Sequence, residues 1–342
     1  MHRRHTPRHL ARGLALLVTL GLGLGLLAAP AEAKPTARAA RVGTYVALGD
    51  SFASGEGLSP YASGTNTATN TCDRSANQSY PVLLQKGRIT RFDDLTSVAC
   101  SGAVTAGLLF DLRDNSDEVP QLKVLSSKTK TVTLTIGGND VGFSSVLADC
   151  TFTTVDIPEL QRLIPGRPGC EQRQAAGVQR AITRLGGAEV PDLARPTVPL
   201  VTILGVIHAQ APNAKIFVTG YPQLFGTKFT DGYGCRVATF GFIPFYVSGS
   251  DARWISRTAD QLNGTIKSST ALARTIGIPA TYVDVAGEYA KHGICDTSTA
   301  WINPLVITTE PSLALSSASF HPTARGQRAN ADAVTAAANA KS

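Results

Sequence analysis

The stretch Thr44-Tyr45-Val46-Ala47-Leu48-Gly49-Asp50-Ser51-Phe52-Ala53-Ser54-Gly55-Glu56-Gly57 changes character halfway along. Its first five residues are apolar, aromatic or β-branched, the composition of a short buried strand. Gly49 then permits a tight exit, and Ser51 follows where a parallel strand would end. In open α/β sheets that carboxyl edge is where ligands bind. A helix beginning near Ser51 would aim its N-terminal N–H groups at any negative charge developing there. Gly-Asp-Ser is also an ordinary turn in which Ser51 could serve as a helix cap. The stretch is not the G-x-S-x-G elbow, because Ala53 stands where the second Gly belongs, and it lacks the G-K-[ST] ending of a phosphate loop.

Working outward, four more short apolar runs read as buried strands: Leu95 to Val98, Thr131 to Ile136, Lys215 to Thr219, and Ala280 to Val283. Helix-compatible stretches run from Ser79 to Gln85, Gly177 to Leu185, Ala252 to Thr275 and Thr323 to Ala340. The third carries an apolar stripe at Trp254, Ile255, Ala259, Leu262 and Ile266. Strand followed by helix, repeated, implies an α/β fold with a parallel sheet of about five strands covered on both faces. Ser59 to Thr71, Pro165 to Gly169 and Val190 to Pro199 read as loops. The segment from Tyr221 to Gly249, with Tyr233, Phe240, Phe242, Phe245 and Tyr246, fits either the wall or lid of an acyl pocket or a surface loop pinned by Cys235.

Three further short blocks follow strands or precede a helix. Gly137-Gly138-Asn139-Asp140 follows Thr131 to Ile136 and reaches the same sheet edge as Ser51, so Asn139 could offer its amide to an oxyanion. Cys100-Ser101-Gly102-Ala103 follows Leu95 to Val98, and Gly102 lets a backbone N–H approach a substrate oxygen. Phe320-His321-Pro322-Thr323 precedes the last helix. Of the histidines beyond residue 33, His208 lies in an apolar stretch and reads as a satisfied helix residue, and His292 reads as part of a turn, which leaves His321 as the base near neutral pH.

Gly49-Asp50-Ser51, Gly102, Gly138-Asn139-Asp140 and His321-Pro322, in that order, resemble the blocks of the GDSL, or SGNH, hydrolases, and the resemblance spans roughly residues 43 to 335. Cys72-Asp73-Arg74-Ser75 and Ala99-Cys100-Ser101-Gly102 further resemble the secreted actinomycete lipases and esterases of that family. The resemblance implies a three-layer α/β/α flavodoxin-like fold. It also implies Ser51 as nucleophile, His321 as general base, and an oxyanion hole of the Ser51 and Gly102 N–H groups with the Asn139 amide. The family's D-x-x-H pattern is broken, since Ala318 stands three residues before His321. A backbone carbonyl at Ala318 or Ser319 is expected to orient the ring instead, with Asp284 or Asp296 as a distant alternative.

The chain opens with Arg3, Arg4, Arg8 and Arg12, an apolar run from Leu14 to Ala29, and the small-x-small triplet Ala31-Glu32-Ala33, which is the layout of a signal peptide over residues 1–33. Its removal would take four Arg and one Glu, lowering the formal charge from +7 to +4 and leaving one catalytic domain over 34–342. No basic cluster remains that would suggest nucleic acid, and no second long apolar run suggests stable membrane insertion. Six cysteines in an exported chain imply disulfides, and sequential pairing is the simplest expectation: Cys72 with Cys100, Cys150 with Cys170, Cys235 with Cys295. Neither a metal nor an organic cofactor is required. The expectation is a secreted, monomeric esterase or lipase hydrolysing acyl esters, most plausibly of lipids. Phospholipase and carbohydrate acetyl esterase share the same machinery, and a secreted binding module on an inert hydrolase fold is the reading from another class.

Overall fold

The strand that runs into Ser51 lies inside a five-stranded sheet. In a computed structural model it is β1 (Tyr45–Gly49), flanked by β2 (Leu95–Ser97) on one side and β3 (Thr131–Thr135) on the other. Beyond β3 come β4 (Lys215–Thr219) and β7 (Ala280–Val283), giving the order β2-β1-β3-β4-β7 with every pair parallel. The structure describes residues 44–340 apart from 88–91, 93, 111–117, 154–168, 190–195, 227–233, 241–242, 297–298 and 309–313. The expected export segment, with Tyr233 and Phe242, lies outside the described residues.

Alternation along the strands sends side chains to two separate cores. Val46, Leu48, Val132, Leu134, Ile216 and Val218 face one side, where they pack against four helices. These are α4 (Phe143–Thr153), α5 (Cys170–Leu185), α6 (Leu200–Gln210) and α7 (Gly249–Thr275). Tyr45, Ala47 and Phe217 face the other side, against α2 (Tyr80–Lys86) and α8 (Ala324–Asn339). That second face is partly polar and internally satisfied. The Tyr45 hydroxyl meets Thr133 Oγ1 at 2.9 Å, Tyr80 meets Thr135 at 3.0 Å, and Thr135 meets Thr219 at 2.6 Å. The three layers and five parallel strands agree with the α/β/α arrangement expected from the sequence.

Sheet direction reverses between β1 and β3: the chain passes outward from β1 to β2, then back past β1 to β3 and onward. Loops leaving β1 and β3 therefore diverge to opposite faces and open a crevice at their carboxyl ends, the usual ligand position in such folds. Sequence blocks 49–51, 100–103 and 137–140 follow β1, β2 and β3 at this edge.

Three disulfides, Cys72–Cys100, Cys150–Cys170 and Cys235–Cys295, join the six cysteines. The aromatic segment forms a hairpin, β5 (Cys235–Phe240) with β6 (Ile243–Val247). Val237 and Val247 are buried in the first core while Phe240 is 40% exposed, so the hairpin packs on the body with its tip outward. Among the described residues no helix is long and apolar enough to cross a membrane.

Candidate active site

Gly49 makes the turn out of β1 possible. Its φ of +132° is reached freely by glycine alone, and a Cβ there would meet the Thr135 carbonyl oxygen at 2.2 Å. A buried side chain completes the turn: Gln121 accepts from Gly49 N–H at 2.7 Å and donates to the Gly49 carbonyl at 2.8 Å. Asp50 then caps α1 (Ser51–Ser54), its Oδ1 accepting from Phe52 N–H at 3.0 Å. Ser51 is 7% exposed at the floor of the crevice.

His321 arrives from the opposite end of the chain, just before α8. Gln327 on α8 fixes this approach, accepting from Tyr80 N–H and donating to the Phe52 carbonyl. The imidazole Nε2 lies 2.8 Å from Ser51 Oγ, and its Nδ1 lies 3.1 Å from the Ser319 carbonyl oxygen. An Nδ1–H donated to that carbonyl leaves Nε2 as the acceptor facing the Ser51 hydroxyl. Of the two carbonyls considered, Ala318 instead accepts the backbone N–H of His321 at 3.2 Å. Asp284 caps the following turn through Ala286 N–H, and Asp296 lies against Gly226.

Loop 137–140 is tied down from three directions. Tyr221 OH accepts from Gly138 N–H at 2.8 Å and donates to Asp50 Oδ2 in a short hydrogen bond. Asp140 accepts from the backbone N–H and hydroxyl of Thr105 at the start of α3 (Thr105–Leu109). Asn139 Nδ2 donates to the Ala103 carbonyl at 3.0 Å, which joins this loop to 100–103 and leaves a second amide hydrogen for the crevice. Gly102 sits at the exposed corner of a turn closed by Ala103 N–H to Cys100 O. Burial pushes the Asp50 carboxyl up to about 7 against the pull of the Tyr221 hydrogen bond, and burial likewise pushes Asp140 up to about 6.

Sequence reasoning passed over Glu56. Its Oε2 lies 3.5 Å from His321 Nε2 and accepts from Ser101 Oγ at 2.5 Å. Tyr221 and Gln121 were missed as well, because tertiary packing alone brings them to the turn.

A cavity of about 220 Å³ opens beside Ser51, Asn139 and His321. Phe143, Leu147, Leu224, Leu305 and Phe320 supply most of its apolar wall. Among the described residues of segment 221–249 only Tyr221, Pro222 and Leu224 reach it; of the two readings of that segment, the surface element pinned by Cys235 and not the pocket wall describes Phe240, Phe245 and Tyr246, which take no part. Their side chains pack on the body or face outward because Cys235–Cys295 holds the hairpin there. The buried Thr151 hydroxyl in this wall has no hydrogen-bond partner.

Neither other histidine joins the site. His292 stacks on Trp301 with ring centroids 3.7 Å apart and contacts the Thr299 carbonyl through Nδ1 at 3.2 Å. His208 is on α6 as expected, but its Nδ1 finds no hydrogen-bond partner, so it is not the satisfied residue the sequence suggested. An apolar helix buried along one side offers that nitrogen no acceptor. Among the described residues no three His, Cys, Asp or Glu side chains converge as metal ligands would.

Known proteins resemble this chain in sequence and in fold. A lipase of Streptomyces rimosus is 29% identical over 94% of this chain and 94% of its own length, and Lipase 2 of Streptomyces coelicolor is 30% identical over 93% and 92%. The crystal structure of the extracellular Streptomyces rimosus lipase superposes with a TM-score of 0.61 at 27% identity, covering 86% of this chain and 98% of that one. Phospholipase A1 of Streptomyces albidoflavus gives 0.60 at 27% identity, covering 86% and 99%. The GDSL-like lipase/acylhydrolase family matches residues 47–329, the span that carries all four sequence blocks, the five-stranded sheet and the Ser51–His321 contact; the chain belongs to that family.

Proposed function

We propose that residues 34–342 are an exported serine ester hydrolase that cleaves acyl esters of lipids. The observation that carries this reading is the 2.8 Å contact between Ser51 Oγ and His321 Nε2 at the mouth of an apolar cavity. His321 Nε2 takes the hydroxyl proton as Ser51 Oγ attacks the ester carbonyl. The resulting oxyanion is met by the N–H groups of Ser51 and Gly102 and by the free amide hydrogen of Asn139. Collapse breaks the ester C–O bond, and the imidazolium returns the proton to the departing alcohol. Water, deprotonated by the same ring, then hydrolyses the acyl-enzyme. The Ser319 carbonyl holds the ring tautomer but, being neutral, stabilises the imidazolium less than a carboxylate would.

The apolar wall beside Ser51 suits the acyl chain of an ester. Likeness to a phospholipase A1 supports a glycerophospholipid as the second reading of the same site. Three disulfides and the sequence of residues 1–33 support export.

Hydrolysis rates for p-nitrophenyl esters from acetate to palmitate, beside a phosphatidylcholine and an acetylated sugar, test the reading. The apolar wall predicts faster hydrolysis of the longer acyl esters than of acetate or of the acetylated sugar. A peak on the acetylated sugar would favour a carbohydrate esterase, and a folded protein inert toward every ester would favour a binding module.

A further inference from the structure

His321 has a neutral partner on its Nδ1 side and a carboxylate on the other. Glu56 follows directly on α1, beyond the Gly55 cap, and its backbone N–H donates to the Ser51 carbonyl at 3.2 Å. Gly57 then packs against the segment that carries the ring-orienting carbonyl, since a Cβ at Gly57 would sit 2.6 Å from Ala318 Cα. This close approach brings Glu56 Oε2 to 3.5 Å from His321 Nε2, with the two side chains only 13% and 17% exposed. Ser101 Oγ donates to that same oxygen at 2.5 Å and fixes the carboxylate to the turn that holds Gly102.

We propose that Glu56 is the positioning carboxylate that stabilises the charged form of His321, acting from the Nε2 side in place of a triad Asp on Nδ1, with Ser101 as its clamp. This rests on the Ser51–His321 reading above.

Electrostatics gives the residue a role confined to the reaction. While the ring is neutral, its Nε2 lone pair is taken up by the Ser51 hydroxyl and the ring forms no ion pair with Glu56. Once Ser51 has given up its proton, Nε2–H⁺ lies beside a carboxylate in a partly dry crevice, where the attraction is much stronger than in water. Only the second state is stabilised, so the effect appears in kcat and not in KM. Burial pushes the Glu56 carboxyl up, while the charge of His321 and the Ser101 hydroxyl bring it back down. Asp73 is the other carboxylate whose charge reaches the ring. Its Oδ1 accepts from Asn66 Nδ2 at 2.6 Å, and no hydrogen bond or ion pair with the ring is found among its contacts.

Five proteins on one short-chain ester, p-nitrophenyl butyrate, test the proposal: the parent, Glu56→Gln, Glu56→Asp, Ser101→Ala and the Glu56→Gln, Ser101→Ala double variant, with melting temperatures recorded for each. Glu56→Gln keeps the side-chain shape and an acceptor for Ser101 but removes the charge. Its kcat should fall roughly tenfold, well short of the ~10⁴ seen on neutralising a triad Asp, because here Ser319 and not the carboxylate fixes the tautomer. KM should stay within about twofold. Ser101→Ala should lower kcat by a few-fold in the parent and have no effect in the Glu56→Gln background, since the two act as one unit. Glu56→Asp should recover part of the loss.

An unchanged kcat in folded Glu56→Gln, or a loss confined to KM, overturns the proposal. Additive effects of the two substitutions overturn the clamp. If Glu56→Gln does not fold, an unchanged kcat in Ser101→Ala does the same. Ser51→Ala and His321→Ala run alongside: if either retains full activity, the underlying site reading has failed, whereas inactivity of both with an unaffected Glu56→Gln isolates the failure to this inference.

Discussion

The two turns that supply the crevice beside Ser51 are held by opposite means. Turn 100–103 is anchored covalently through Cys72–Cys100 and lies at an exposed edge, with Gly102 free of neighbouring atoms within 4 Å of a hypothetical Cβ. Loop 137–140 carries no covalent tie. Its two glycines are buried, and its place depends on hydrogen bonds from the Tyr221 hydroxyl to Asp50, from Gly138 N–H to Tyr221, and from the Thr105 N–H and hydroxyl to Asp140. A turn leaving an edge strand has a neighbouring strand on one side only and gains from a cross-link, whereas a loop leaving a central strand can be fixed by a polar network that pays back its desolvation only when complete. Perturbing one turn should therefore cost stability first, and perturbing the other should cost catalysis and stability together.

Asn139→Ala is the largest expected effect in this contrast. It removes both an oxyanion donor and the bond to the Ala103 carbonyl, and kcat should fall by about 10² to 10³. Steady-state kinetics checks it, and an unchanged kcat would place the oxyanion hole elsewhere. Next comes the paired substitution Cys72→Ala with Cys100→Ala, which opens a link across 28 residues. Unfolding stability should drop by about 2 to 4 kcal/mol, measured in denaturant, with kcat falling less than for Asn139→Ala. A larger loss of kcat than of stability would reverse the comparison.

Tyr221→Phe sharpens it from the other side. Removing the hydroxyl strands the buried Gly138 N–H and one Asp50 oxygen, so stability should fall by about 1 to 3 kcal/mol and kcat several-fold together. A stability loss with intact kcat would show that the loop keeps its place without the network.

A further effect is a pH dependence specific to the buried network. Asp50 and Asp140 are raised in the fold to about 7 and about 6. The folded chain then binds more protons than the unfolded chain between roughly pH 4 and 7. The contribution of these groups is fully present below the unfolded carboxyl range and is lost as pH rises through the folded values. Asp50→Asn should flatten that part of the stability profile, followed by thermal melts at successive pH values. A parent profile that rises across this window without flattening in Asp50→Asn would contradict the account.

Much of this was legible beforehand because a buried parallel strand is rich in apolar and β-branched residues and must stop at turn residues, as Tyr45–Gly49 and Thr131–Thr135 do. The helix Leu200–Gln210 was harder to see: with Leu200, Ile203, Leu204 and Ile207 buried and apolar residues on its other faces too, no amphipathic period marks it. Aromatic density in the 221–249 segment fitted a pocket wall as well as a surface loop, and the pocket instead takes its wall from Phe143 and Leu147 on α4 and from Phe320 ahead of α8. The orienting Ser319 carbonyl is a backbone atom and leaves no mark of its own in a sequence. Its signal was indirect, the Ala318 that stands where an Asp would be. Glu56, Gln121 and Tyr221 gave no local signal, since each acquires its role from partners 45 or more positions away.

Active-site labelling with a fluorophosphonate, followed by peptide mapping, addresses the central claim most directly. A phosphonyl group should appear on Ser51 alone, in step with loss of ester hydrolysis, and both labelling and hydrolysis should vanish in Ser51→Ala. Label that persists in folded Ser51→Ala, or that maps to another serine in the parent, would contradict the assignment of Ser51 and His321 as the reacting pair.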